Sequence, residues 1–109
     1  MNKFEAVLLF SPELTSTIID KEEESFISLI DKNEGKIMSQ ENWGLRDLSF
    51  NINNFKKSFY KYYQIEINGD KIDFLKKNLT QNEKILRHLF VKVTKHQELP
   101  TKMSPNEEK

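Results

Sequence analysis

The side chains able to move protons near neutral pH are His88 and His96, and no carboxylate stands at a spacing that would pair with either. Two histidines without matched acidic partners make a poor metal site, and for each a packing or solvent-facing role outweighs catalysis. Asp70, Asp73 and Glu83 read as cap and surface charges rather than as an acid–base pair. The glycines (Gly35, Gly44 and Gly69) are scattered, so no glycine-rich loop is available to cradle a phosphate. With no cysteine there is no thiol nucleophile, thiolate metal site or disulfide framework. The residue types present point to no catalytic residues, metal or cofactor, and no small-molecule substrate; an enzyme is not expected. The cations are the better lead. Arg46, Lys56, Lys57, Arg87 and Lys92 could each contact a phosphate backbone, the commonest protein contact to a nucleic acid.

Elements must position those cations. Phe4 to Phe10 is apolar on both parities after Glu5, the pattern of a central strand buried on both faces. Thr15 or Ser16 offers an N-cap for a helix to about Asn33, with Ile19, Phe26 and Ile30 on one face and Glu22, Glu23 and Glu24 on the wet side. Gly35 is placed for a left-handed C-terminal cap. Lys36 to Ile52 reads as a second strand in which Gly44, just after the single Trp43, marks a bulge. The stretch from Asn53 to Lys57 reads as a polar, basic connection. Phe59 to Ile67 is a third strand, with Tyr60 and Tyr62 on one parity and Lys61 on the other, snorkelling or sitting at the sheet margin. Asp70 can cap a short helix whose buried stripe is Ile72, Leu75 and Leu79. A fourth strand runs from about Ile85 to Thr94, with Leu89, Val91 and Val93 alternating against His88, Phe90 and Lys92.

The order β-α-β-β-α-β is the ferredoxin-like arrangement, an α+β class with a four-stranded antiparallel sheet and two helices on one face. Right-handed crossovers place the first and third strands at the centre. The other face stays open, with Tyr60 or Tyr62 on it, and an open aromatic face usually has a partner. One domain is expected over residues 1–95, and residues 96–109 read as a polar, disordered tail.

Bulk properties set further bounds. The chain is net neutral, yet residues 1–35 hold three lysines against eight acids, while the remainder holds fourteen basic residues against nine acids. That split suits a molecule with one side towards an anionic polymer, although a neutral total argues against strong independent nucleic-acid binding. No apolar run reaches the roughly 18 residues of a membrane span. The N-terminus moves straight into strand pattern and Glu5 breaks any signal-peptide character, so a cytoplasmic location is the expectation.

The RNA-recognition motif shares this fold and wants basic-Gly-aromatic-small-aromatic on its third strand. Lys57-Ser58-Phe59-Tyr60-Lys61 departs from it at three positions, so stacked single-stranded bases are not the expected ligand.

Three motifs taken jointly carry a more specific resemblance. They are Glu41-x-Trp43-Gly44-x-Arg46-x-Leu48-Ser49-Phe50-x-Ile52, the strand ending Gln64-Ile65-Glu66-Ile67, and Asn82-Glu83-x-Ile85-Leu86-Arg87-x-Leu89. With Phe4-Glu5 and Ser11-Pro12-Glu13-Leu14, they make residues 3–94 resemble the bacterial small-subunit ribosomal protein six family. The resemblance implies a ferredoxin-like structural component of the small ribosomal subunit, located there in the cytoplasm. Such a protein would bind small-subunit ribosomal RNA as a heterodimer with small-subunit ribosomal protein eighteen. Arg46 and Arg87 match basic positions of the family motifs and, with Lys56, Lys57 and Lys92, are the candidate RNA or partner contacts. Asp47 stands where the family often carries a basic or neutral polar residue, and Asn51 where it typically carries proline. The rival reading is a ferredoxin-like ligand-sensing or self-associating module.

Overall fold

The computed structural model describes residues 1–96. The chain runs β1 (Asn2–Phe10), α1 (Ser16–Lys32), β2 (Lys36–Ile52), β3 (Phe55–Ile67), a single 3-10 turn (Gly69–Lys71), α2 (Ile72–Thr80) and β4 (Ile85–Val93). The four strands form one antiparallel sheet in the order β2-β3-β1-β4, so β1 and β3 are central as their two-sided apolar pattern requires. The expectation of a disordered tail falls, beyond His96, outside the described residues.

Register decides which side chains meet the helices. Phe4, Ala6, Leu8 and Phe10 of β1 stand opposite Ile65, Tyr63, Lys61 and Phe59 of β3. Most of these side chains form the core with Ile19, Phe26 and Ile30 of α1 and Ile72, Leu75 and Leu79 of α2. Phe26 packs against the Tyr63 ring at a centroid distance of 4.9 Å. Both helices therefore cover one face, and the residues of opposite parity form the other.

Several local expectations are corrected. The glutamates of α1 are not all on its wet side. Tyr63 sits at 0% exposure, and its buried hydroxyl donates to Glu23 Oε2 at 2.8 Å. Burial first, then the charge and hydrogen bond of Glu23, hold the Tyr63 pKa far above the ordinary tyrosine value. Lys61 does not snorkel away but reaches the same carboxylate at 3.9 Å. Glu22 accepts from Asn82 Nδ2 at 2.6 Å and lies 3.9 Å from Lys84 Nζ, tying α1 to the turn before β4. Asp70 makes no capping hydrogen bond; it lies within the 3-10 turn, and neither that turn nor α2 has a side-chain cap.

The end of α1 follows the Schellman pattern, with the residues in unexpected roles. Gly35 N–H donates to Ile30 O at 2.9 Å and Glu34 N–H to Asp31 O at 3.0 Å. The left-handed residue is Glu34, with φ 65°, not Gly35. Gly35 is needed for space instead: a Cβ there would lie 2.9 Å from Ile30 Cγ2 and 3.0 Å from Glu66 O.

The connection between β2 and β3 is also shorter than expected. Asn53 and Asn54, at φ 50° and 70°, make a two-residue hairpin turn, and β3 begins at Phe55. Asparagine tolerates this left-handed conformation, and the primed turn it makes matches the strand twist. Lys56 and Lys57 are thus strand residues, held in alternation on opposite sides of the ribbon.

Candidate nucleic-acid interface

The bulge in β2 builds the face that the helices leave open. Asn42 pairs with Lys61 and Gly44 with Tyr60, so Trp43 is the extra residue. Gly44 has φ 78° and open space where a side chain would be. Its glycine is therefore required by backbone conformation, not by crowding. The extra residue also resets the alternation of the strand. Trp43 and Arg46, which have opposite parities in sequence, both come to the open face, Trp43 over Tyr62 and Arg46 opposite Ser58.

The consequence for the aromatic face is a correction. Tyr62 is on that face as expected but is not available there, because the Trp43 ring stacks on it at 4.9 Å with an interplanar angle of 11°. Tyr62 is 2% exposed and Trp43 9%. The polar edges of the stack are satisfied, with Trp43 Nε1 donating to Glu41 Oε1 at 2.9 Å and Gln64 Nε2 to the Tyr62 hydroxyl at 3.0 Å. The tryptophan acts as a lid on the sheet beside Arg46. Arg46 Nε in turn donates to the Trp43 carbonyl at 3.0 Å, which orients the guanidinium from the bulge.

Beyond Asp47 the register slips again, and residues 48–51 of β2 stand against a single residue of β3 before Ile52 meets Phe55. The excess length carries the ribbon tip round the open face. Leu48, Phe50 and Ile52 of β2 line a hollow of about 160 Å³ together with Leu9, Tyr60, Arg87 and Leu89. A second hollow, of about 480 Å³, is lined by Arg46, Asp47, Lys57 and Tyr60 among others. The two hollows have Ser49 and Tyr60 in common, with Arg46 lining one and Arg87, on the opposite edge strand, lining the other.

The five predicted cations are not one cluster. Arg46, Lys56 and Arg87 share the open-face parity, Arg87 through its pairing opposite Leu9. Lys92 is exposed on the opposite parity, opposite Phe4. Lys57 likewise takes the helix-side parity, where its ammonium lies 3.6 Å from Asp47 with both side chains largely exposed. Asp47 therefore meets a basic residue of its own chain. Asn51, exposed, lies inside the irregular stretch before the turn.

Sequence reasoning did not anticipate the apolar part of this face. Phe50 is 68% exposed, Val91 58% and Leu89 51%. The alternation in β4 separated Leu89 and Val91 from His88 and Phe90, but alternation alone does not say which set meets the helices. His88 faces them, with Nε2 3.1 Å from Thr80 Oγ1. Burial, then the neighbouring Lys76 charge, lowers its pKa. Among the described residues, no group of three or more histidines and carboxylates is arranged to hold a metal ion. The arrangement offers Arg46 and Arg87 beside the exposed apolar side chains Phe50 and Leu89. It can grip phosphates with the arginines and bury an apolar partner surface between them.

The chain is similar to known proteins in sequence and in fold. Residues 3–92 match the family described as Ribosomal protein S6. The small ribosomal subunit protein bS6 of Orientia tsutsugamushi is 38% identical over 93 residues, covering 85% of this chain and 79% of that one. The bS6 of Zymomonas mobilis is 31% identical over 103 residues, covering 94% and 83%. The crystal structure of 30S ribosomal protein S6 from Thermotoga maritima is similar in fold, with a TM-score of 0.80 at 18% identity, over 84% of this chain and 87% of that one.

Proposed function

The chain belongs to the ribosomal protein S6 family, and from that premise we propose that it is a structural constituent of the small ribosomal subunit, working in the cytoplasm as part of that particle. It binds small-subunit ribosomal RNA together with small-subunit ribosomal protein eighteen and catalyses nothing. The observation that carries this reading is the joint one: the family match over residues 3–92, folded so that Arg46 and Arg87 line neighbouring hollows beside exposed apolar side chains of the open face. RNA phosphates take the arginines, and the partner protein takes the exposed apolar side chains Phe50, Leu89 and Val91.

The neutral total charge fits a protein that needs its partner to hold RNA. Titration of a small-subunit ribosomal RNA fragment at two salt concentrations tests this. Weak binding by the chain alone, with strong salt-sensitive binding once protein eighteen is added, is expected. Equal affinity with and without the partner would overturn the heterodimer part of the proposal.

A further inference from the structure

One peptide unit in the β2 bulge is held at both ends by side chains. The carbonyl of Trp43 and the N–H of Gly44 belong to the same planar group and turn together. The carbonyl accepts from Arg46 Nε at 3.0 Å. The N–H donates to Asn42 Oδ1 at 2.9 Å, so Asn42 reaches across the extra residue to close the turn. Asn42 and Arg46 therefore grip opposite ends of one rigid unit.

The orientation of that unit is not settled by packing. Stacking on Tyr62 and the bond to Glu41 pin the Trp43 ring, but a peptide joined to glycine can turn over with the ring in place. Glycine populates both signs of φ, and nothing crowds Gly44. Turned over, the carbonyl would no longer face Arg46. The Asn42 oxygen selects the orientation that does, and Asn42 is itself exposed, so this contact adds nothing to the core. A guanidinium recognises phosphate through a planar fork, whose direction must match the anion. An exposed arginine oriented beforehand loses less freedom on binding. We infer that Asn42 is a positioning residue for Arg46, setting the guanidinium through the Trp43–Gly44 peptide before RNA arrives. The RNA part of this inference rests on the role given to Arg46 in the proposed function.

The chain has two arginines, Arg46 and Arg87, so nuclear magnetic resonance of the nitrogen-labelled full chain reads both Nε–H groups, with Arg87 as the internal control. Asn42→Ala should speed exchange of the Arg46 Nε–H with water about threefold or more and leave that of Arg87 unchanged. Asn42→Ser, whose hydroxyl accepts from the same N–H more weakly without adding charge, should recover part of the protection. Unchanged exchange at Arg46 in Asn42→Ala, or equal acceleration at both arginines, overturns the inference. Affinity for the small-subunit ribosomal RNA fragment with protein eighteen present should fall about two- to tenfold in Asn42→Ala, the worth of one hydrogen bond. Adding Asn42→Ala to Arg46→Ala should cause no further loss, and equal losses in the two backgrounds would also overturn the inference. If Arg46→Ala alone leaves the affinity unchanged while the exchange signature is seen, the RNA role of Arg46 fails and its positioning by Asn42 stands.

Discussion

At the residue scale, Trp43, Arg46 and His88 have distinct jobs that substitutions can separate. Trp43 is buried over Tyr62 and hydrogen-bonded to Glu41, so Trp43→Ala should cost about 3–5 kcal/mol in a denaturant titration. Arg46 is half-exposed and donates from Nε to the Trp43 carbonyl. Arg46→Ala should cost only about 1 kcal/mol while weakening RNA binding, and unfolding with unchanged affinity per folded molecule would make it a structural residue instead. His88 gives a pH signature. Its pKa is lowered in the folded chain, so the unfolded state binds the proton more readily. The stability it lends is present above the ordinary histidine pKa and is lost as pH falls through the lowered folded value. The difference in stability between the wild type and His88→Gln, measured from neutral to mildly acidic pH, should therefore shrink as pH falls. A flat difference would show that burial beside Lys76 does not perturb it.

At the scale of elements, the sequence was legible wherever one period ran unbroken. The α1 span, the central strands and the buried stripe Ile72, Leu75 and Leu79 were read from their periodicity, and they position the site as expected. The bulge at Gly44 was legible too, because a lone glycine weakens a strand unless the backbone bulges or is crowded there. Its consequence was not: only the register shows that the extra residue puts Trp43 and Arg46 on the same face. The polarity of Glu22 and Glu23 misled for a related reason. A carboxylate that accepts hydrogen bonds from a facing Tyr63 or Asn82 can point inward, and the partners lie forty or more residues away. Helix termini misled because glycine serves two ends. Gly35 answers a steric need, whereas Glu34 takes the strained left-handed position. Gly35→Ala should thus destabilise the fold by about 1–3 kcal/mol, and Glu34→Gly should leave it equal or up to about 1 kcal/mol more stable, both read by thermal or chemical unfolding. Loss of stability in Glu34→Gly larger than in Gly35→Ala would contradict this account of the turn.

At the scale of the whole molecule, charge and shape are divided in a consistent way. Most of the acids in the first third of the chain lie on α1 and its flanks, and part of that charge is turned inward against Tyr63, Lys61, Asn82 and Lys84. The opposite side of the sheet presents Arg46 and Arg87 around exposed Phe50 and Leu89. We propose that RNA and a partner protein share this face, because phosphates suit the arginines and an apolar surface suits Phe50 and Leu89. The most direct measurement is co-sedimentation of the tagged full-length chain with small ribosomal subunits reconstituted with and without protein eighteen. The chain should travel with the subunit at near one copy per particle when protein eighteen is present, and fall well below that when it is omitted. A chain that stays at the top of the gradient in both cases would contradict the assignment.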